Sequence, residues 1–210
     1  AFHLLAEAPP GLDEARLRRR LRAIEVLGEA CGTTGLIGGQ VMDLESEGRA
    51  IGAADLECLH RAKTGALLSA CVRGGAILGG AGEEDLGRLS RYAAAIGLAF
   101  QVVDDVLDAT ESAESLGKTA GKDAAAGKAT YVSIHGLEKA RAMAASLRQQ
   151  ALDAVSPLGP RGETLAAIAR LIESAPPDRQ THVALALSET LRGAVAQVLL
   201  RKTGGGRVAA

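Results

Sequence analysis

The run FQVVDDVLD, residues 100–108, places the carboxylates of Asp104, Asp105 and Asp108 within five positions of an otherwise apolar stretch. On a helix, Gln101, Asp104, Asp105 and Asp108 fall on neighbouring positions of one face, and Glu111 continues it a turn later. Like charges one turn apart repel by roughly 0.2–0.5 kcal/mol on an exposed helix, and by far more if they are desolvated. Either the face is simply solvated or a counter-charge offsets the repulsion. Phe100, Val102, Val103, Val106 and Leu107 leave little other polar surface, which suits a solvated face poorly. Carboxylates at this spacing suit Mg2+, a hard cation that keeps several waters and takes one or two carboxylates together with phosphate oxygens.

Cationic residues follow and precede this run. Lys118, Lys122 and Lys128 lie in GKTAGKDAAAGK, among small residues that let a ligand approach the backbone. Lysine is a point-charge partner for phosphate. This is not a Walker loop, because Asp123 stands where the hydroxyl residue would be. Taken alone, a lysine-rich loop is explained as well by solvation. Upstream, in HRAKTGALL, His60, Lys63 and Thr64 share a helix face, and an apolar run follows Lys63. A lysine there either snorkels to water or meets an anion. Gln40, Asp43 and Glu47 line one face of a neighbouring glycine-rich helix, so an Asp43–Lys63 pair of structural character is open. The ExxH formed by Glu57 and His60 has the spacing of di-iron bundles, but those need a second copy and the chain has one.

Positioning such groups falls to helices. Of the 210 residues, 47% are hydrophobic, 23% charged and only 2% aromatic, with a net charge of -1. That balance gives no bulk attraction to nucleic acid or anionic membrane, and it implies an aliphatic, alanine-rich core of close-packed helices. Apolar residues recur at helical spacing along 12–31, 34–48, 53–80, 83–112 and 137–155, and along a shorter piece near 162–173. Asp13 is a candidate cap for the first of these, whose apolar stripe reads Leu17, Leu21, Ile24 and Leu27. Gly35, Gly38 and Gly39 in the second each weaken a helix by about 1 kcal/mol, so something is expected to approach its backbone closely. No strand or internal repeat is evident. Cys31, Cys58 and Cys71 form no CxxC pair and read as buried thiols in a reducing, cytoplasmic setting. No apolar run is long enough to span a bilayer.

Four runs in order, GLIGGQVMDLESEG, HRAKTGALL, FQVVDDVLD and LGKTAGKDAAAGKATYV, resemble the trans-prenyltransferases, the family of farnesyl and geranylgeranyl diphosphate synthases. The resemblance spans about residues 30–135 and extends to about 173, and it is closest to the bacterial members. It implies an all-α helical bundle of the isoprenoid synthase type around a central cavity. It also implies Mg2+-dependent head-to-tail condensation of isopentenyl diphosphate with an allylic diphosphate. Carried over by position, Asp104 and Asp108 belong to the second aspartate-rich motif as metal ligands. Asp105 acts through water or a lysine, and Lys63 and Lys118 hold the allylic diphosphate. Lys128, Thr64 and Gln101 line the same site, with Gln40 and Asp43 in support.

The chain departs from the family pattern at both ends. Its only Asp-Asp pair is Asp104-Asp105, so the first aspartate-rich motif and the isopentenyl diphosphate site are not among its residues. The expectation is a C-terminal portion of one prenyltransferase domain over residues 1–173, inactive alone, with an unmatched tail over 174–210. A non-catalytic subunit of the same fold is the alternative, and a class I terpene cyclase is disfavoured by the intact DDVLD. The resemblance also implies a homodimer through residues 12–47, where Leu17, Leu21, Ile24, Leu36, Ile37 and Val41 offer a surplus of apolar surface.

Overall fold

The computed structural model describes residues 2–7, 11–110 and 129–174, and these are helical with short connections. In order they form α1 (Phe2–Ala6), α2 (Glu14–Cys31), α3 (Leu36–Ser46), α4 (Ala53–His60), a π-helical turn (Arg61–Gly65), α5 (Ala66–Gly79) and α6 (Glu83–Thr110). After the lysine-rich stretch come α7 (Tyr131–His135), α8 (Leu137–Val155), a 3₁₀ turn (Ser156–Gly162) and α9 (Glu163–Ser174). The all-α expectation holds, with no strand among the described residues. Glu111, Lys118, Lys122, Lys128 and the tail from 175 lie outside them.

Local sequence sets most boundaries. Asp13 caps α2 by accepting the Arg16 N–H at 2.8 Å. Pro157 and Pro160 follow α8, and the chain there tightens into the 3₁₀ turn. Thr130 and Ser133 form a reciprocal capping box that starts α7. In the sequence, the Thr-x-x-Ser pair is the signal for this short helix.

The core lies along α6. This helix packs against α5, the π turn, α7, α8 and α9. Ala99, Ala140, Ala151 and Ala169 are completely buried. With methyl groups at the contacts, the α6, α8 and α9 backbones approach closely, which is how a chain with so few aromatics fills its interior. Tyr92, among the largest fully buried side chains, donates its hydroxyl to the Leu165 carbonyl at 2.9 Å and so ties α6 to α9.

Helix α2 turns Ala23, Val26 and Ala30 inward and leaves Leu17 and Leu21 exposed as apolar surface beyond the core. Small residues are what allow α2 to lie close along α5. One sequence expectation is corrected, that of buried cysteines: Cys31 and Cys71 are half-buried, and Cys58 is exposed on α4, whose Leu56 and Leu59 face the core.

Burial pushes the Tyr92 and Tyr131 phenols well above their ordinary range, and at Tyr131 the Glu57 and Asp105 carboxylates add to the rise against Arg61. Both groups are held neutral in the fold, whereas the unfolded chain ionises them near pH 10. Their contribution is therefore fully present below about pH 10 and is lost as pH rises further toward the folded values. Urea midpoints should fall above about pH 10, and Tyr92→Phe should flatten part of that slope. An identical alkaline slope in Tyr92→Phe would contradict this.

Candidate active site

Why the glycines crowd α3 becomes plain at residue 39. A Cβ on Gly39 would lie 2.3 Å from the Lys63 backbone nitrogen and 2.6 Å from Lys63 Cα. What approaches is the chain's own backbone, at the π turn. From the other side, a Cβ on Gly97 of α6 would lie 3.1 Å from Gly65 Cα. The turn is thus clamped between two glycines. Where the sequence reads as one helix over 53–80, the structure interposes a wider turn at Arg61–Gly65, a distortion found mostly at functional sites.

The clamped turn carries Lys63 and Thr64. Lys63 Nζ donates to Asp43 Oδ2 at 2.6 Å, with the two side chains 32% and 14% exposed. The Asp43–Lys63 pair left open by the sequence is therefore formed. An ammonium has three donors, so this pairing does not exhaust Lys63. Thr64 Oγ1 lies 3.4 Å from Gln101 Oε1, and His60 Nδ1 lies 2.7 Å from the same oxygen. These contacts join the turn to α6 one helical turn before the carboxylates. The His60 ring stacks on Tyr131 with centroids 5.6 Å apart.

The aspartates divide. Asp104 is exposed and Asp108 half-buried, and their four-residue spacing puts them on one face with Gln101. Asp105 is buried instead. It is 7% exposed, and its Oδ2 accepts the Tyr131 N–H at 2.7 Å, which fastens the start of α7 to α6. The sequence cannot show this, because Asp105 and Tyr131 are 26 residues apart. Among the described residues no group of three or more His, Cys, Asp or Glu gathers as a metal site. The Asp104–Asp108 pair nonetheless has the donor chemistry of Mg2+ held by two carboxylates with phosphate oxygens and water. Glu57, the other half of the ExxH, bonds Arg61 Nε at 2.7 Å while His60 bonds Gln101, so the two do not act as a ligand pair. Gln40 is exposed on α3, and Lys118 and Lys128 fall outside the described residues.

A separate cavity of about 330 Å³ is lined by Arg18, Arg19, Arg22, Ile77, Gly80, Ala81 and Leu86. Arg18 is paired with Glu14 and Arg22 with Glu83, at 2.6 and 3.0 Å.

The chain is similar to known proteins. The sequence model of the family described as Polyprenyl synthetase matches residues 1–156. Chloroplastic geranylfarnesyl diphosphate synthase of Leucosceptrum canum is 48% identical over 154 residues, covering 72% of this chain and 42% of that protein. Dimethylallyltranstransferase of Fischerella ambigua is 47% identical over 173 residues, covering 82% and 49% respectively. Among solved structures, an FPP/GFPP synthase from Zymomonas mobilis superposes with a TM-score of 0.68 at 36% identity, over 81% of this chain and 56% of that one. A geranyltransferase from Helicobacter pylori, complexed with magnesium and isoprenyl diphosphate, gives 0.64 at 30% identity, over 91% and 56%. The chain spans about half the length of the relatives it matches. Both the fold and the sequence that builds the clamped turn and the α6 carboxylates therefore agree: this chain belongs to the polyprenyl synthetase family.

Proposed function

We propose that residues 1–173 are the C-terminal portion of a trans-prenyltransferase domain. Its reaction is the Mg2+-dependent head-to-tail condensation of isopentenyl diphosphate with an allylic diphosphate. The observation that carries this is the junction at Gln101, which joins His60 and Thr64 to the helix α6 that bears Asp104 and Asp108. Asp104 and Asp108 would hold the metal, which when bound neutralises charge developing on the departing diphosphate. Lys63, kept in place by Asp43, adds a fixed positive charge toward the same group, and Lys118 and Lys128 are assigned there by family position. Gln101 and Thr64 orient the substrate one turn deeper. The apolar residues of α6 and α5 exclude water from the reacting carbon.

This chain contains half of the implied metal ligands and is expected to be inactive alone. Titration of the purified chain with Mg2+ and inorganic pyrophosphate should show metal-dependent binding, with no prenyl product from isopentenyl and geranyl diphosphates. Absence of pyrophosphate binding would count against the site, and robust turnover against the missing half. A non-catalytic subunit remains the second reading because the chain has one Asp-Asp pair. Among its relatives is a chain named as the large subunit of a heterodimeric geranylgeranyl pyrophosphate synthase in Arabidopsis thaliana, 48% identical over 156 residues.

We place the active form as a homodimer through residues 12–47. Leu21, Ile37, Val41 and Leu44 are 66%, 55%, 47% and 58% exposed, an apolar surface that a two-fold contact would cover. Sedimentation equilibrium should report a dimer at micromolar concentration, weakened by Leu21→Glu with Ile37→Glu. A wild-type monomer would refute the interface. No helix among the described residues is long and apolar enough to cross a membrane. Free cysteines fit a reducing, cytoplasmic compartment, although several relatives are named chloroplastic.

A further inference from the structure

A glutamine amide has two unlike ends, an oxygen that accepts and a nitrogen that donates two hydrogens. Which end faces a ligand decides whether the residue attracts or repels an anion. At Gln101 the oxygen is committed. Oε1 lies 2.7 Å from His60 Nδ1 and 3.4 Å from Thr64 Oγ1. With the amide in this orientation, the bond is made by a hydrogen on Nδ1. With both lone pairs of Oε1 directed at α4 and the π turn, the amide N–H groups point the other way.

The imidazole is held by more than this bond. His60 stacks on Tyr131 at 5.6 Å and 27°, and Tyr131 stacks on His135 at 6.3 Å. Tyr131 is 1% exposed, and its backbone N–H is fixed on Asp105. A chain of contacts therefore leaves the buried side of α6 at Asp105. It passes through Tyr131 of α7 and His60 of α4, and returns to α6 at Gln101, three residues before Asp104.

We propose that His60 is a positioning residue: its Nδ1–H fixes the Gln101 carboxamide so that N–H donors, not the oxygen, face a bound diphosphate ester. The choice of diphosphate rests on the function proposed above. The face already carries Asp104 and Asp108, and an additional acceptor there would repel phosphate oxygens. A donor does the opposite, and a hydrogen bond to a charged group contributes more than one between neutral groups. His60 thus acts on the ligand only through Gln101.

The test uses the 15N-labelled 210-residue chain. Long-range 1H–15N spectra at neutral pH should show a protonated Nδ1 at His60. The Gln101 side-chain amide should appear as two sharp, separate proton resonances that exchange slowly with solvent. In His60→Leu that pattern should be lost. In His60→Asn it should be retained, because the asparagine nitrogen can donate from the Nδ1 position. Calorimetry with Mg2+ and inorganic pyrophosphate should show roughly tenfold weaker binding in His60→Leu, recovered in His60→Asn. A bare Nδ1 in the wild-type chain overturns the proposal, and needs no variant to fold. So does an unchanged Gln101 amide or unchanged pyrophosphate affinity in a folded His60→Leu. Failure of the wild-type chain to bind pyrophosphate overturns the ligand named here and the site reading with it, while the His60 and Gln101 resonances still decide the positioning separately.

Discussion

Asp104→Ala is expected to lower turnover by roughly 10²–10³-fold, the scale on which a single group stabilising developing charge acts, in a catalytically competent protein that contains this chain. Its dependence on Mg2+ should shift to higher concentration, and the melting temperature should hardly change, because Asp104 is exposed. Asp105→Ala should show a different pattern. It leaves the buried Tyr131 N–H without its acceptor, a loss of about 1–3 kcal/mol. It also loosens α7, so stability falls first and activity follows from it. Paired measurement of Mg2+ dependence and thermal melting separates the two. A protein in which Asp105→Ala shifts the Mg2+ dependence and Asp104→Ala does not would reverse the assignment made from burial.

Gly39→Ala should be strongly damaging, because it drives α3 against the π turn. Its Cβ would sit 2.3 Å from the Lys63 nitrogen and 2.8 Å from the Ala62 carbonyl carbon, and backbone cannot swing aside as a side chain can. Either α3 or the turn must move, at a cost of about 3 kcal/mol or more. Any displacement of the turn carries Lys63 and Thr64 away from Asp43 and Gln101. The expected result is a large drop in the urea midpoint, together with weaker pyrophosphate binding in whatever fraction stays folded. Gly28→Ala is the control. A Cβ there meets nothing within 4 Å, and in the last turn of α2 it should be neutral or stabilise by up to about 1 kcal/mol. Equal midpoints for the two variants would show that the α3 contact is looser than these distances require.

What the sequence determined by itself was everything that local chemistry dictates. Helical periodicity marked the long helices, and α8 runs over Leu137–Val155 as its spacing predicts. The four motif runs carried the family, because their residue types and spacing survive in one dimension. The glycine cluster announced a close approach without naming what approached. Partners distant in sequence were decided only by the tertiary structure. Asp105 reads as one of three equivalent carboxylates until packing brings Tyr131 beneath it, because a helical wheel cannot tell a ligand-facing acid from one that caps a neighbouring helix. The leucine stripe of α2 marks an apolar face, but only the fold shows that Ala23, Val26 and Ala30 are the residues α2 buries. Close packing against α5 rewards small side chains, and the larger leucines are left on the outside. His60 and Gln101 are 41 residues apart, and no spacing rule links them. Their hydrogen bond exists only because α4 and α6 meet at the clamped turn, where the direction of an amide is set by contact rather than by composition.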